Sequence, residues 1–234
     1  MQPRLSRRIA AVLTLSFCLG KLVCMRPFNI LKRGLDIFIS LSSLIVLFPV
    51  LAAIGLTIRL SGKGPAIFKQ QRAGKDGKPF VLYKFRTMTV DTDPFGPSPK
   101  SGKDARLTKV GRFLREYSLD ELPQLFNILK GDMSVVGPRP LYLTQMPEWN
   151  ERQKRRLRVK PGLTGLAQIQ GRGGLTREEK LELDVKYVET AGFLTDMKII
   201  LASVTRVFGR RGVYEKKYSQ TEYTRGMGND FHGE

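Results

Sequence analysis

The sequence predicts an α+β protein, mainly helical, in which a membrane-embedded helix leads into a polar domain carrying a small β-hairpin. Three observations predict it. An uncharged run of 22 residues, Ile37–Ile58, gives way to a chain of mixed polar and apolar texture. Two short apolar-rich stretches, Ala66–Arg72 and Phe80–Phe85, enclose the turn residues Gly74, Asp76, Gly77 and Pro79. Beyond them, most apolar residues recur at helical spacing.

The uncharged run is the first element. As a straight helix at about 1.5 Å per residue it reaches about 33 Å, enough for a hydrocarbon core of about 30 Å. A soluble helix of that length with no polar face is unusual. Pro49 lies just past its middle and removes one helical hydrogen bond, while Ser42 and Ser43 upstream can donate to freed carbonyls. The flanks hold Arg26, Lys32 and Arg33 on one side and Arg59, Lys63, Lys69 and Arg72 on the other. These charges nearly balance, so the positive-inside rule gives no orientation. On the residues alone, a helix that bends at Pro49 and leaves by the face it entered stands level with a tilted spanning helix.

Residues 1–33 carry seven basic side chains (Arg4, Arg7, Arg8, Lys21, Arg26, Lys32, Arg33) and no acidic one. The apolar stretch between Arg8 and Lys21 has the outline of a secretory signal, but no small-x-small cleavage site follows. A segment lying along an anionic membrane surface is the favoured reading. The chain therefore divides into a basic extension (1–28), a membrane-embedded helix (29–60), a polar domain (61–214) and a flexible tail (215–234). Within the polar domain, Asp91–Lys103 is rich in Pro, Gly and Ser and reads as a long loop that reorders on binding a ligand. Helices are expected over Leu107–Tyr117, Pro123–Leu129, Glu148–Val159, Thr176–Thr190 and Phe193–Phe208. The last is apolar enough to close the core or to lie on the membrane interface.

Composition narrows the chemistry. The 234 residues include 40 Lys and Arg against 21 Asp and Glu, a net charge of +19, which implies an anionic partner. Cys18, Cys24 and His232 exclude a Cys/His zinc site, a disulfide-built scaffold and imidazole-based nucleophilic catalysis. Carboxylates are then the available catalytic groups, and one pair stands out. Asp120 and Glu121 sit between Arg112 and Arg115 on one side and Arg139 on the other. Ser118 with Glu121 reads as an ordinary capping box at a helix start. In so basic a chain a second role is open: an aspartate can attack phosphorus, and a neighbouring acid can hold Mg²⁺ against a diphosphate. Arginines supply forked donors to phosphate oxygens.

Six blocks occur in order: KRGLD (Lys32–Asp36), YKFRTM (Tyr83–Met88), SLDELPQL (Ser118–Leu125), GDMSVVGPRP (Gly131–Pro140), VKPGLTGLAQ (Val159–Gln168) and LELDVKYVE (Leu181–Glu189). Together they resemble the bacterial sugar transferase family, the monotopic phosphoglycosyl transferases that start glycan assembly on polyprenyl phosphate. The resemblance implies a re-entrant membrane helix, bent here at Pro49, and interfacial helices beside a cytoplasmic catalytic domain at the bacterial inner membrane. It implies that a UDP-sugar gives its phosphosugar to Asp120 with release of UMP, and that polyprenyl (undecaprenyl) phosphate then takes it. Glu121 is the partner for Mg²⁺ or proton handling, and Asp120 and Glu121 together are the candidate metal ligands.

The remaining expectations attach to particular residues. Lys84 and Arg86 alternate with Tyr83 and Phe85, so they project to one strand face and suit phosphate contacts. Arg139, between two prolines, has little backbone freedom and suits a fixed phosphate or uridine contact as well as it suits a rigid turn. Arg112, Arg115 and Arg172 complete the candidate substrate-binding cations. The Gly162–Gly165 turn and the Gly171–Gly174 loop allow close approach of backbone to a ligand. The run Glu151–Lys160 holds six basic residues against one acidic and suits lipid head groups, and Asp184 is expected in a supporting ion pair. An anionic phospholipid membrane is the expected support, with a homodimer possible. A non-catalytic basic membrane adaptor is the alternative. A nucleic-acid partner is not expected, because only Trp149 borders the basic run where stacking aromatics should alternate with it.

Overall fold

The computed structural model describes residues 3–93, 99 and 101–208, with side chains from Phe28 onward except Arg172, Val207 and Phe208. The expectations for the 215–234 tail, most of the central stretch of the Asp91–Lys103 loop and the Arg172 side chain fall outside the described residues.

The first element, α1, is one helix over Pro3–Leu60. Its apolar part is two-sided. Asp36, Ser40, Leu44 and Ile58 are buried, at helical spacing. Ile30, Phe38, Leu41, Ile45, Phe48 and Leu56 are exposed on the other side. Phe28–Leu60 is, among the described residues, the one helix long and apolar enough to cross a membrane. An exposed apolar stripe of that length fits lipid contact. The Ser42 hydroxyl donates back to the Phe38 carbonyl, one turn upstream, rather than to carbonyls freed by Pro49.

Both ends of this apolar segment are tied to the same body. At the first, Lys32 donates to the Val136 carbonyl at 3.0 Å and to Asp196 at 2.6 Å. Arg33 donates to the carbonyls of Ile128 and Leu129 at 2.6 and 2.8 Å. Asp36 accepts from the Ser134 hydroxyl at 3.0 Å and from the Val135 N–H at 2.9 Å. At the second end, Arg86 donates to the carbonyls of Ile58, Gly62 and Lys63. Lys32 and Arg33, membrane flanks by sequence, are engaged in internal ties.

The hairpin forms where expected, from β1 (Ile67–Ala73) and β2 (Pro79–Phe85), antiparallel with Ile67 opposite Phe85 and Ala73 opposite Pro79. Asp76 takes a positive φ of 56° in the connecting turn. Asn127, fully buried, extends the far edge of β2: it accepts from the Tyr83 N–H at 3.0 Å and donates to the Val81 carbonyl at 2.6 Å. Next come α2 (Lys109–Glu116), capped by the Thr108 side chain, and α3 (Gln124–Lys130), which ends at Gly131 with φ 93°.

The pair of β3 (Ser134–Val136) and β4 (Gly162–Thr164), parallel with Ser134 opposite Gly162 and Val136 opposite Thr164, was not expected. Three-residue strands leave no readable alternation. Two glycines permit it: a Cβ on Gly162 would lie 2.1 Å from the Gly137 nitrogen. The predicted helix over Glu148–Val159 is shorter, α4 (Glu151–Lys154), and continues as a 3₁₀ turn over Arg155–Arg158 that carries Arg156 inward. Then follow α5 (Leu166–Gln170), α6 (Arg177–Thr190) with a Thr176–Glu179 capping box, and α7 (Phe193–Phe208).

The main core gathers Leu44, Leu82, Leu125, Ile128, Met133, Val136, Tyr187 and Ile199 from α1, β2, α3, β3, α6 and α7. Helix α7 closes the core, as one of its sequence expectations had it. Ile199 is buried in this core, while Leu194, Leu201 and Val204 are exposed.

Candidate active site

Between α2 and α3 the chain makes a tight 3₁₀ turn, Leu119–Glu121. Leu119 packs with Ile58, Phe85 and Leu114, and Leu122 packs on the main core, so the two residues between them are held from both sides. Those two are Asp120 and Glu121. Ser118 enters the turn at φ 57°, ψ 20°, a left-handed conformation uncommon outside glycine, asparagine and aspartate. Such backbone strain often accompanies a functional site.

The capping box expected here does not form. Ser118 makes no side-chain cap, and its N–H donates to the Arg115 carbonyl at 3.0 Å. The Glu121 carboxylate has been drawn elsewhere. Its Oε1 accepts from Lys84 Nζ at 2.7 Å and from Arg139 Nη2 at 2.8 Å. Both bonds fall on one oxygen, and Oε2 has no hydrogen-bond partner among the described residues. Asp120 is only 6% exposed, yet its carboxylate accepts no hydrogen bond among the described residues.

Electrostatics separate the two acids. Burial pushes the Asp120 carboxyl up and the Glu121 charge adds to the shift, against the opposing pull of Lys84, Arg115 and Arg139. Burial also acts on Glu121, but Arg139 and Lys84 outweigh it and hold that carboxyl well below the usual range. Burial lowers Lys84, with Glu121 opposing. One carboxylate is held by two cations that favour its charged form; its neighbour is buried without such a bond among the described residues. Two acids in unlike environments suit unlike roles.

The candidate cations divide by position. Lys84 points inward, on the face it shares with buried Leu82, and reaches the dyad directly. Arg139 reaches it from the Pro138–Pro140 segment, and Arg115 is near enough to act on the Asp120 charge. Arg86, expected beside Lys84, is committed to the end of α1. Arg112 is exposed on α2. Asp184 forms the supporting ion pair expected of it, with Arg156 at 2.7 Å.

The basic run is less open than it reads, since Arg152 and Arg155 face Glu182 and Glu189 on α6. Trp149 is buried beneath the Arg156 guanidinium, 4.9 Å from its ring centre, and offers no stacking surface. Sequence reasoning missed Asn127, which fixes the strand carrying Lys84. An asparagine inside the apolar stretch Leu125–Leu129 was the signal available.

A metal bound here would have few protein ligands. No group of three or more acidic, Cys or His side chains is clustered among the described residues. Asp120 and the open Oε2 of Glu121 are the available oxygens. That sparse set fits Mg²⁺, which is commonly held by one or two carboxylates together with substrate phosphates and water.

Comparison with known proteins identifies the family. A family model described as bacterial sugar transferase matches residues 28–210. The chain is 44% identical over 205 residues to the uncharacterized sugar transferase EpsL of Bacillus subtilis, covering 86% of this chain and 98% of that protein. It is 41% identical over 194 residues to the UDP-glucose:undecaprenyl-phosphate glucose-1-phosphate transferase of Escherichia coli, covering 80% of this chain but only 42% of that protein. A third relative, the exopolysaccharide production protein PSS of Rhizobium leguminosarum, is 43% identical over 191 residues, or 75% of this chain and 94% of that protein.

Proposed function

The chain belongs to the bacterial sugar transferase family and is an enzyme; from that membership we propose that it moves a phosphosugar from a UDP-sugar to undecaprenyl phosphate. The observation that carries the mechanism is the contrast within the dyad: a buried Asp120 carboxylate without a hydrogen bond among the described residues, beside a Glu121 carboxylate fixed by Lys84 and Arg139. A relative of known substrate, the Escherichia coli enzyme, supports the donor and acceptor classes.

In the first half-reaction an Asp120 oxygen attacks the sugar-bearing phosphorus of the donor. The bond between that phosphorus and the bridging oxygen breaks, and UMP leaves with the electron pair. In the second, a phosphate oxygen of the lipid attacks the same phosphorus and displaces the Asp120 carboxylate. The product is polyprenyl-diphospho-sugar. Desolvation makes Asp120 a better nucleophile, because no donor must be stripped from it before attack. Arg139 is partly exposed beside the dyad, and its guanidinium would meet diphosphate oxygens as charge builds on the leaving group. Lys84 and Arg139 favour the ionised form of Glu121 and bond it through Oε1, which leaves Oε2 for a ligand. Asp120 and Glu121 would hold Mg²⁺, which would neutralise charge on the donor diphosphate.

The ties on α1 bear on the membrane placement. With Lys32, Arg33 and Asp36 at one end and Arg86 at the other bound to one body, the two ends belong on one side of the bilayer. That supports a re-entrant α1; the family resemblance suggests the cytoplasmic face of the inner membrane for the catalytic domain. The exposed apolar residues of α7 would then rest on the phospholipid interface.

The test is UMP release by the purified full chain given candidate UDP-sugars, undecaprenyl phosphate and Mg²⁺. Release is expected with at least one donor and is lost in Asp120→Asn. Undiminished release from that variant would sink the mechanism.

A further inference from the structure

The reaction above needs no second ion pair, yet the most deeply buried one among the described residues lies against the site. Arg156 and Asp184 have side chains only 2% and 3% exposed. Arg156 Nε and Nη2 donate to Asp184 Oδ2 at 3.1 and 2.7 Å. Removing two charges from water costs several kcal/mol each, so such a pair is a weak source of stability. Its geometry suggests another use. Nη2 of Arg156 also donates to the main-chain carbonyl of Arg139.

That carbonyl lies in a segment held residue by residue. The Pro138 carbonyl accepts from the Gly162 N–H at 2.9 Å, and the Leu141 carbonyl from the Ala73 N–H at 2.9 Å. The Pro140 carbonyl faces Arg72 at 3.4 Å. Neither proline has an N–H to bond, so the backbone here cannot knit itself into a strand. Arg156 meets the one carbonyl that belongs to Arg139. A small cleft beside the segment is lined by Ala73, Pro138, Arg139, Arg156, Val159 and Pro161.

Resting on the reading of Asp120 and Glu121 as the reacting pair, we propose that Arg156 and Asp184 are positioning residues: their buried pair clamps the Arg139 carbonyl and so aims the Arg139 guanidinium at Glu121 and the donor diphosphate. The chain of contacts is short: Asp184 orients Arg156, Arg156 fixes the Arg139 main chain, and the Arg139 side chain lies 2.8 Å from Glu121 Oε1. Arg156 touches no reacting atom. A displacement of about 1 Å at such a group can cost about a hundredfold in rate.

The experiment separates positioning from stability in the full chain. Replacing a buried ion pair with apolar groups of similar volume is often neutral or stabilising. The double variant Arg156→Met/Asp184→Leu is therefore expected to melt at or above the parent temperature and yet lose at least about tenfold in kcat/KM for the donor. A folded double variant within about twofold of the parent would overturn the proposal. Arg156→Lys is the second variant; it keeps the charge but offers one donor atom in place of the fork, and a similar loss is expected.

A mutant cycle supplies the readout that a purely structural role would leave alone. In an Arg139→Gln background, Arg156→Lys should add less than about a twofold further loss, measured in kcat/KM and in UDP-sugar affinity. Additive losses, or loss of fold in both clamp variants, would make the pair structural and overturn the proposal. Full activity of Asp120→Asn and Arg139→Gln would instead remove the site reading itself. An inactive Asp120→Asn with an additive cycle removes the clamp alone.

Discussion

The two cations on Glu121 should fail in different ways when removed. Lys84 and Arg139 bond the same oxygen at nearly equal distances, 2.7 and 2.8 Å, but their surroundings differ. The Lys84 side chain is 19% exposed and Arg139 43%, against 12% for Glu121. Breaking a buried pair by removing one partner costs about 3–5 kcal/mol, because the other charge is left uncompensated. Arg139 still bonds Glu121 in Lys84→Met, so about 2–3 kcal/mol is the expected loss of stability. In a domain of this size that is a fall of about 4–12 °C in melting temperature. Arg139→Met removes a solvent-screened pair worth about 1 kcal/mol at most, or about 2–4 °C. In activity the order reverses. In the proposed reaction Arg139 also meets the UDP-sugar, and losing a hydrogen-bond donor to developing charge costs about a hundredfold to a thousandfold in kcat. Thermal melts in detergent or nanodiscs, paired with UMP-release rates, read both quantities. Equal melting shifts, or a larger one for Arg139→Met, would refute the claim that Lys84 is the anchor of Glu121.

Other consequences follow from the same geometry. Because burial raises the Asp120 carboxyl and the anion is the reacting form, kcat/KM should fall with acid at a pH above the ordinary carboxylate range, and a limb at or below that range would contradict the desolvated nucleophile. Asp36→Leu removes a buried acceptor of two hydrogen bonds, from the Ser134 hydroxyl and the Val135 N–H, so stability should drop by about 3–5 kcal/mol. Asp36→Asn, which keeps the acceptor oxygen, should lose less than half of that in the same melts. Arg86→Leu frees the carbonyls at the end of α1; its expected effect is faster proteolysis near Gly62–Lys63 in membranes, with the dyad still competent for UMP release.

Local signals carried the reading a long way along this chain. The hairpin, α2, α3, α6 and α7 were visible because turn residues, caps and a 3.6-residue period act over short distances. Asp120 and Glu121 were visible because a carboxylate pair is conspicuous in a chain so short of acid and of histidine. The pairing of β3 with β4 was not visible, since it depends on Gly137 and Gly162 meeting across 25 positions of sequence. Nor were the fates of Lys84 and Arg86. Strand alternation placed both on one side, but only the tertiary arrangement sends one to Glu121 and the other to the end of α1. The Ser118 capping box illustrates the same limit. Its spacing was correct, and it lost to two cations brought from distant segments, which offer Glu121 charge-assisted bonds in place of one backbone N–H.

The central claim is that Asp120 carries the phosphosugar between the two half-reactions. The most direct measurement is the intact mass of the full chain after incubation with a UDP-sugar and Mg²⁺ in the absence of lipid acceptor. The expected result is a mass gain equal to one phosphosugar, located by peptide mapping to Asp120, absent in Asp120→Asn and discharged on adding undecaprenyl phosphate. Turnover with no adduct at Asp120, or an adduct that undecaprenyl phosphate does not discharge, would contradict it.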